Sequence, residues 1–215
     1  MTKDYQIYSL EHNRAYYPYR YVVDRAEENE QHRAKTSLSQ NEGNDTPPPY
    51  NKEVVESDIY KEKFVGLGGK RVIATAVKES RRCIRLNDET RGERGVFIDT
   101  SGQSVFSFTG ENSSADYGRF RFSKYKEKSL VLVHNHPSSG SFSADDILTI
   151  SDNPEIKTIV VAGHNGVVYQ LSIGDGKRVD KKIYSEYNIV MKEKKNSHDT
   201  MVHLSEKYGW RYKKL

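Results

Sequence analysis

The chain has 215 residues, 35% of them hydrophobic and 30% charged, with a formal charge of +4 and a mean hydropathy of −0.83. That length holds one domain plus an extension and leaves two full domains cramped, and the polarity predicts that part of the chain packs poorly. The only cysteine, Cys83, excludes an intrachain disulfide and a multi-thiolate zinc site, and no apolar run is long enough to span a membrane.

Residues 1–55 read as a poorly ordered Tyr/Pro-rich extension and linker. Met1-Thr2-Lys3-Asp4-Tyr5 lacks the apolar core of a signal peptide, so a cytoplasmic location is expected. Tyr5, Tyr8, Tyr16, Tyr17, Tyr19 and Tyr21 alternate with Arg14, Arg20 and Arg25, a polar stretch runs from Glu27 to Asn44, and Pro47-Pro48-Pro49-Tyr50 forces an extended backbone. Tyrosines beside arginines can stack on bases, and the mildly basic charge permits nucleic acid without arguing for it. The plainer reading is an arm that packs on the domain or binds a partner protein.

Residues 56–175 read as the principal domain, with leading helices over 56–90. Tyr60, Phe64 and Leu67 recur at helical spacing, Gly68-Gly69 interrupts, and Val72, Ala76 and Val77 continue on a second segment that carries Cys83 as a packing residue. Gly95–Asp99 and Ser104–Phe108, joined by Thr100-Ser101-Gly102-Gln103, form a hairpin signature. A helix is predicted between Ser114 and Lys126. The apolar run Ser129–Val133 reads as a buried strand that ends at His134-Asn135-His136-Pro137. A short helix over Ser143–Ser151 follows, then strands at Lys157–Val161 and Gly166–Leu171 linked by His164-Asn165-Gly166, whose Asn-Gly step favours the left-handed conformation. Residues 176–215 read as a basic helical segment, one or two helices between Lys181 and Tyr208, packing on the core.

Side chains two apart on a strand share a face, so both imidazoles can aim at one point. Ser143 and Asp146 sit three apart where the next helix begins, and two imidazoles with a carboxylate leave one position of a tetrahedral zinc ion open for water, the mark of a catalytic zinc site. Ser143-x-x-Asp146 is also an ordinary helix-capping signature, and both roles can coexist. Asp145 is the rival ligand but falls outside the three-residue spacing that shares a helix face. His164 reads as a hairpin residue, and His12, His32, His198 and His203 have no metal-like spacing.

His134-Asn135-His136-Pro137 followed by Ser143 and Asp146 resembles the JAMM (JAB/MPN) metalloprotease motif, a distant Glu, then His-x-His, then Ser-x-x-Asp. The nearest likeness is to bacterial and phage-associated, RadC-like JAB domains, over about Tyr60–Leu171. The resemblance implies an α/β fold, a mixed β-sheet flanked by helices in a deaminase-like three-layer core. It implies His134, His136 and Asp146 as Zn2+ ligands, Glu93 as general acid and base, and Ser143 as hydrogen-bond donor to the oxyanion. Glu93 precedes Gly95–Asp99, which looks like the family's glutamate strand; Glu89 and Glu111 are the alternatives. One departure stands out: six residues, Pro137–Phe142, separate His136 from Ser143, one fewer than the family's commonest spacing.

The implied activity is hydrolysis of a peptide or isopeptide bond in a protein or peptide substrate, ubiquitin-like conjugates among the candidates. The competing readings are a non-catalytic JAB-fold scaffold and, with little support, a metal-dependent nuclease. A zinc deaminase is excluded because its His-x-Glu and Pro-Cys-x-x-Cys elements are absent.

Overall fold

The computed structural model describes residues 50–90, 93–110 and 120–215, with backbone only for 87–90. The expectations for residues 1–49, for Glu111, for the side chain of Glu89 and for the start of the predicted Ser114–Lys126 helix lie outside the described residues.

Among the described residues three helices come first: α1 (Lys52–Val55), α2 (Asp58–Glu62) and α3 (Lys70–Thr90). Asn51 and Ser57 cap the first two by accepting from Val54 N and Tyr60 N. The turns that carry Gly68-Gly69 separate α2 from α3, as their interruption of the helical pattern predicts. The strands are β1 (Arg94–Asp99), β2 (Ser104–Thr109), β3 (Leu130–His136), β4 (Ile156–Gly163), β5 (Val168–Ser172) and β6 (Arg211–Lys214); between them lie α4 (Ala144–Asp152), α5 (Ile183–Lys194) and α6 (Ser197–Tyr208). All six strands form one sheet in the order β2-β1-β3-β4-β5-β6. Only β3 and β4 run parallel. That pair needs a crossover, and α4 supplies it.

The alternation of side chains divides the core into two, one on each face of the sheet. Val96, Ile98, Val131, Val133, Val160, Ala162 and Val168 pack under α1–α3 with Val55, Tyr60, Phe64 and Ala76. Phe97, Leu130, Leu132, Ile159, Val161, Tyr169 and Leu171 face α4–α6, meeting Ile147, Leu148, Tyr187, Met201 and Leu204. A mixed sheet buried on both faces by helices is the α/β class expected. β3 is buried along its whole length, which is why it reads as an unbroken apolar run.

In the described part of the predicted Ser114–Lys126 helix, a single 3-10 turn at Phe122–Lys124 takes its place. Phe120 stacks on Phe97 with centroids 4.5 Å apart, and Phe122 meets both rings edge-on. Aromatic packing on the sheet outweighs the weak helical preference of this segment. The C-terminal segment holds two helices, split where Lys195 adopts φ 60° and Asn196 caps α6. It also holds β6, which the sequence reading missed. Among the described residues no helix is long and apolar enough to cross a membrane.

Candidate metal centre

His134 and His136 close β3 on the α4–α6 face, continuing the row of Leu130 and Leu132. Their rings are nearly sealed from solvent, at 4% and 7% exposure. The two Nε2 atoms lie 3.0 Å apart. Asp146 in the first turn of α4 reaches both rings, with Oδ1 3.1 Å from His134 Nε2 and Oδ2 3.6 Å from His136 Nε2. Zinc ligands about 2.05 Å from the metal at tetrahedral angles sit about 3.3 Å from one another. The two imidazole nitrogens lie close to that edge, and one ligand atom from each of the three side chains falls within 4.8 Å of the others, so the group could hold a metal ion.

Asp146 combines its two readings. Its Oδ2 accepts from Ser143 N and Ser143 Oγ, each at 2.8 Å, while Asp146 N donates to Ser143 Oγ at 3.2 Å, a complete capping box. The capping bonds fall on one oxygen and orient the carboxylate so that the other faces His134. Asp145 is exposed and accepts from Tyr184 OH on α5, away from the imidazoles. Of the two rival ligands, the structure brings only Asp146 to the histidines.

Gly140 O lies 3.2 Å from His136 Nδ1. A carbonyl can only accept, so His136 carries its proton on Nδ1 and presents the Nε2 lone pair to the site. A metal ligand needs this tautomer. His134 Nδ1 has no hydrogen-bond partner among the described residues.

Glu93 enters from the segment that leads into the neighbouring strand. The β1–β3 ladder ends at Gly95 opposite His134, and Glu93 stands two residues before Gly95, just outside β1. Its Oε1 lies 3.8 Å from His136 Nε2. Among the described residues it is the only glutamate within 4.0 Å of either histidine. Gly95 makes room at this end of the sheet for Phe108, whose ring tip would lie 2.2 Å from a Cβ at position 95.

The charges act on one another. Burial pushes the Glu93 carboxyl above its usual range, against the pull of His136 and His134. Burial would lower His134, but the negative charge and hydrogen bond of Asp146 and the charge of Glu93 outweigh it and hold the imidazole above its ordinary value. Asp146, although buried, is held well below the usual carboxylate range by His134 and His136. A carboxylate that stays ionised between two imidazoles is an anionic site suited to a cation.

Asn135 lies between the two histidines in the chain. It is fully buried and points to the opposite face, where its Oδ1 accepts from Arg94 N at 2.8 Å and its Nδ2 lies 3.2 Å from His164 Nε2. It therefore ties the residue after Glu93 to the β4–β5 turn. His164 belongs to that turn, as read, and its carbonyl accepts from Asn51 N at 2.7 Å. Cys83 is a buried helix residue. Comparison with known proteins gave no match: no family model, no curated protein and no solved structure is significantly similar to the chain.

Proposed function

We propose that the protein is a zinc-dependent metallopeptidase or isopeptidase of the JAMM kind, on a JAB-like core. The observation that carries the reading is Glu93 Oε1 3.8 Å from His136 Nε2, a second carboxylate beside the His134, His136 and Asp146 group. A purely structural metal site has no need of a second carboxylate held beside the ligands.

His134, His136 and Asp146 would hold the zinc. Bound there, the ion would supply a Lewis acid and lower the pKa of a coordinated water to about 7. Glu93 takes a proton from the attacking water and returns it to the leaving amine. Burial raises its pKa above the ordinary carboxylate value, which makes it a stronger base. His136 keeps its Nδ1 proton on Gly140 O throughout. Ser143, whose hydroxyl lies on Asp146 Oδ2, would donate to the developing oxyanion. The sheet flanked by helices on both faces is the frame that the resemblance implies.

The experiment is a panel of peptide and isopeptide substrates offered to the zinc-loaded full chain and to Glu93→Gln. Hydrolysis by the wild type alone supports the reading. A zinc-loaded wild type inert across the whole panel favours the scaffold. Equal hydrolysis by both proteins removes Glu93 as the base.

A further inference from the structure

The peptide group between Gly140 and Ser141 is held at both ends. Its carbonyl accepts from His136 Nδ1 at 3.2 Å, and its N–H donates to Ser197 Oγ at 2.8 Å. Ser197 opens α6, outside the span of the JAMM resemblance. Its hydroxyl does not cap that helix, since Asn196 does so by accepting from Asp199 N at 2.8 Å. Ser197 Oγ is instead turned back onto the loop after the histidines. Gly140 lets it come close: a Cβ at 140 would lie 3.3 Å from Ser197 Oγ. The Ser141 side chain is fixed from the same segment. Its Oγ and Tyr212 OH share a 2.8 Å hydrogen bond, and the Tyr212 hydroxyl lies 2.8 Å from His198 Nδ1.

We infer that Ser197 is a positioning residue for the metal ligand His136, acting through the Gly140–Ser141 peptide, and that the α6–β6 unit thereby completes the outer shell of the metal site. The inference rests on the metal-site reading above. Fixing the peptide plane fixes where its carbonyl points, which sets the ring orientation and tautomer of His136. A peptide whose N–H is already donating also has a carbonyl that accepts more strongly. Partners of this kind commonly change metal affinity by about 10–100-fold when removed.

The test uses the full chain and Zn2+ itself, with affinity measured by chelator competition for wild type, Ser197→Ala and Ser197→Thr. Alanine is well tolerated in a helix whose cap is Asn196, so α6 should form in both variants. Ser197→Ala is expected to bind Zn2+ about 10–100-fold more weakly, with Ser197→Thr restoring most of the loss through its hydroxyl. Nitrogen-15 NMR of the metal-free wild type should show His136 protonated on Nδ1, and Ser197→Ala should move that ring's shifts. Unchanged affinity in Ser197→Ala, weakened affinity with unmoved His136 shifts, or a His136 Nδ1 without its proton in wild type would each overturn the role of Ser197. A wild type that binds no Zn2+ would overturn the metal site itself, a distinguishable failure.

Discussion

Glu93 and His136 face each other at the end of the β1–β3 ladder, the carboxylate Oε1 3.8 Å from the imidazole Nε2. That distance is too long for a direct hydrogen bond. Glu93 lies just before β1, whose ladder with β3 ends at Gly95 opposite His134. Replacing Glu93 with Gln keeps the shape and removes the base. Turnover should fall by about 10²–10⁴-fold with the metal still bound. Parallel metal analysis and rate measurement on the purified variant would check this, and loss of metal along with activity would make Glu93 a ligand instead.

Asp145 and Asp146 are neighbours with opposite roles. Asp146→Asn should weaken Zn2+ binding by more than about 10²-fold, the upper range for outer-shell partners. Asp145→Asn removes the charge of an exposed carboxylate, keeps an oxygen that can accept from the Tyr184 hydroxyl, and should bind zinc as wild type does. Competition titrations on the two variants separate them, and the reverse ranking would reassign the ligand.

Protons compete with metal at His134. Its pKa is raised in the metal-free fold, so the Asp146–His134 pair stabilises that fold below the unfolded value of about 6.5, and this contribution is lost as pH rises through the folded value. A cation must displace the same proton, so Zn2+ affinity should climb from about pH 6 to about pH 8. Titrations at both ends of the range measure the slope. A flat or falling affinity would contradict the ligand role of His134.

Asn135 joins β1 to β3 beyond the point where Gly95 and His134 pair. Asn135→Ala removes one buried and one part-buried hydrogen bond and should cost about 1–3 kcal/mol in denaturant unfolding. Because its side chain points away from the imidazoles, zinc stoichiometry should stay the same while turnover drops through a displaced Glu93. Unaltered stability together with unaltered turnover would show Asn135 to be a mere spacer.

The C-terminal segment is part of the core. Ending the chain at Asp175 removes Ile183, Tyr187, Val190, Met201, Leu204 and Trp210 from the α4–α6 face. At about 1.5–3 kcal/mol for each buried large side chain, the loss rivals the whole stability of about 5–15 kcal/mol typical of a domain. Circular dichroism of the truncated chain should show it unfolded. A cooperative transition at the wild-type temperature would contradict this packing.

The parts of this fold visible in the sequence are those whose pattern is local. Leu130–Val133 had to be a buried strand, the Thr100–Gln103 turn had to join a hairpin, and Ser143 with Asp146 marked a helix start. Both histidines were legible because their strand ends in a sheet of known side-chain alternation. The strand β6 was not, since Arg211-Tyr212-Lys213-Lys214 is short, charged and an edge, with Tyr212 alone turned inward to Tyr169. Nor could the partner of His136 be read, because it is a main-chain carbonyl at Gly140 and carries no side-chain signal. Ser197 reaches the loop only after the chain has passed through β4, β5 and α5, a separation of 56 residues that no local pattern spans.

The central claim is that His134, His136 and Asp146 bind zinc and Glu93 does not. Metal content per chain, measured by plasma mass spectrometry on wild type, Glu93→Gln and His134→Ala purified with added Zn2+, addresses it most directly. Wild type should hold one zinc, Glu93→Gln one and His134→Ala none. A wild type without zinc, or a His134→Ala protein that keeps it, would contradict the account.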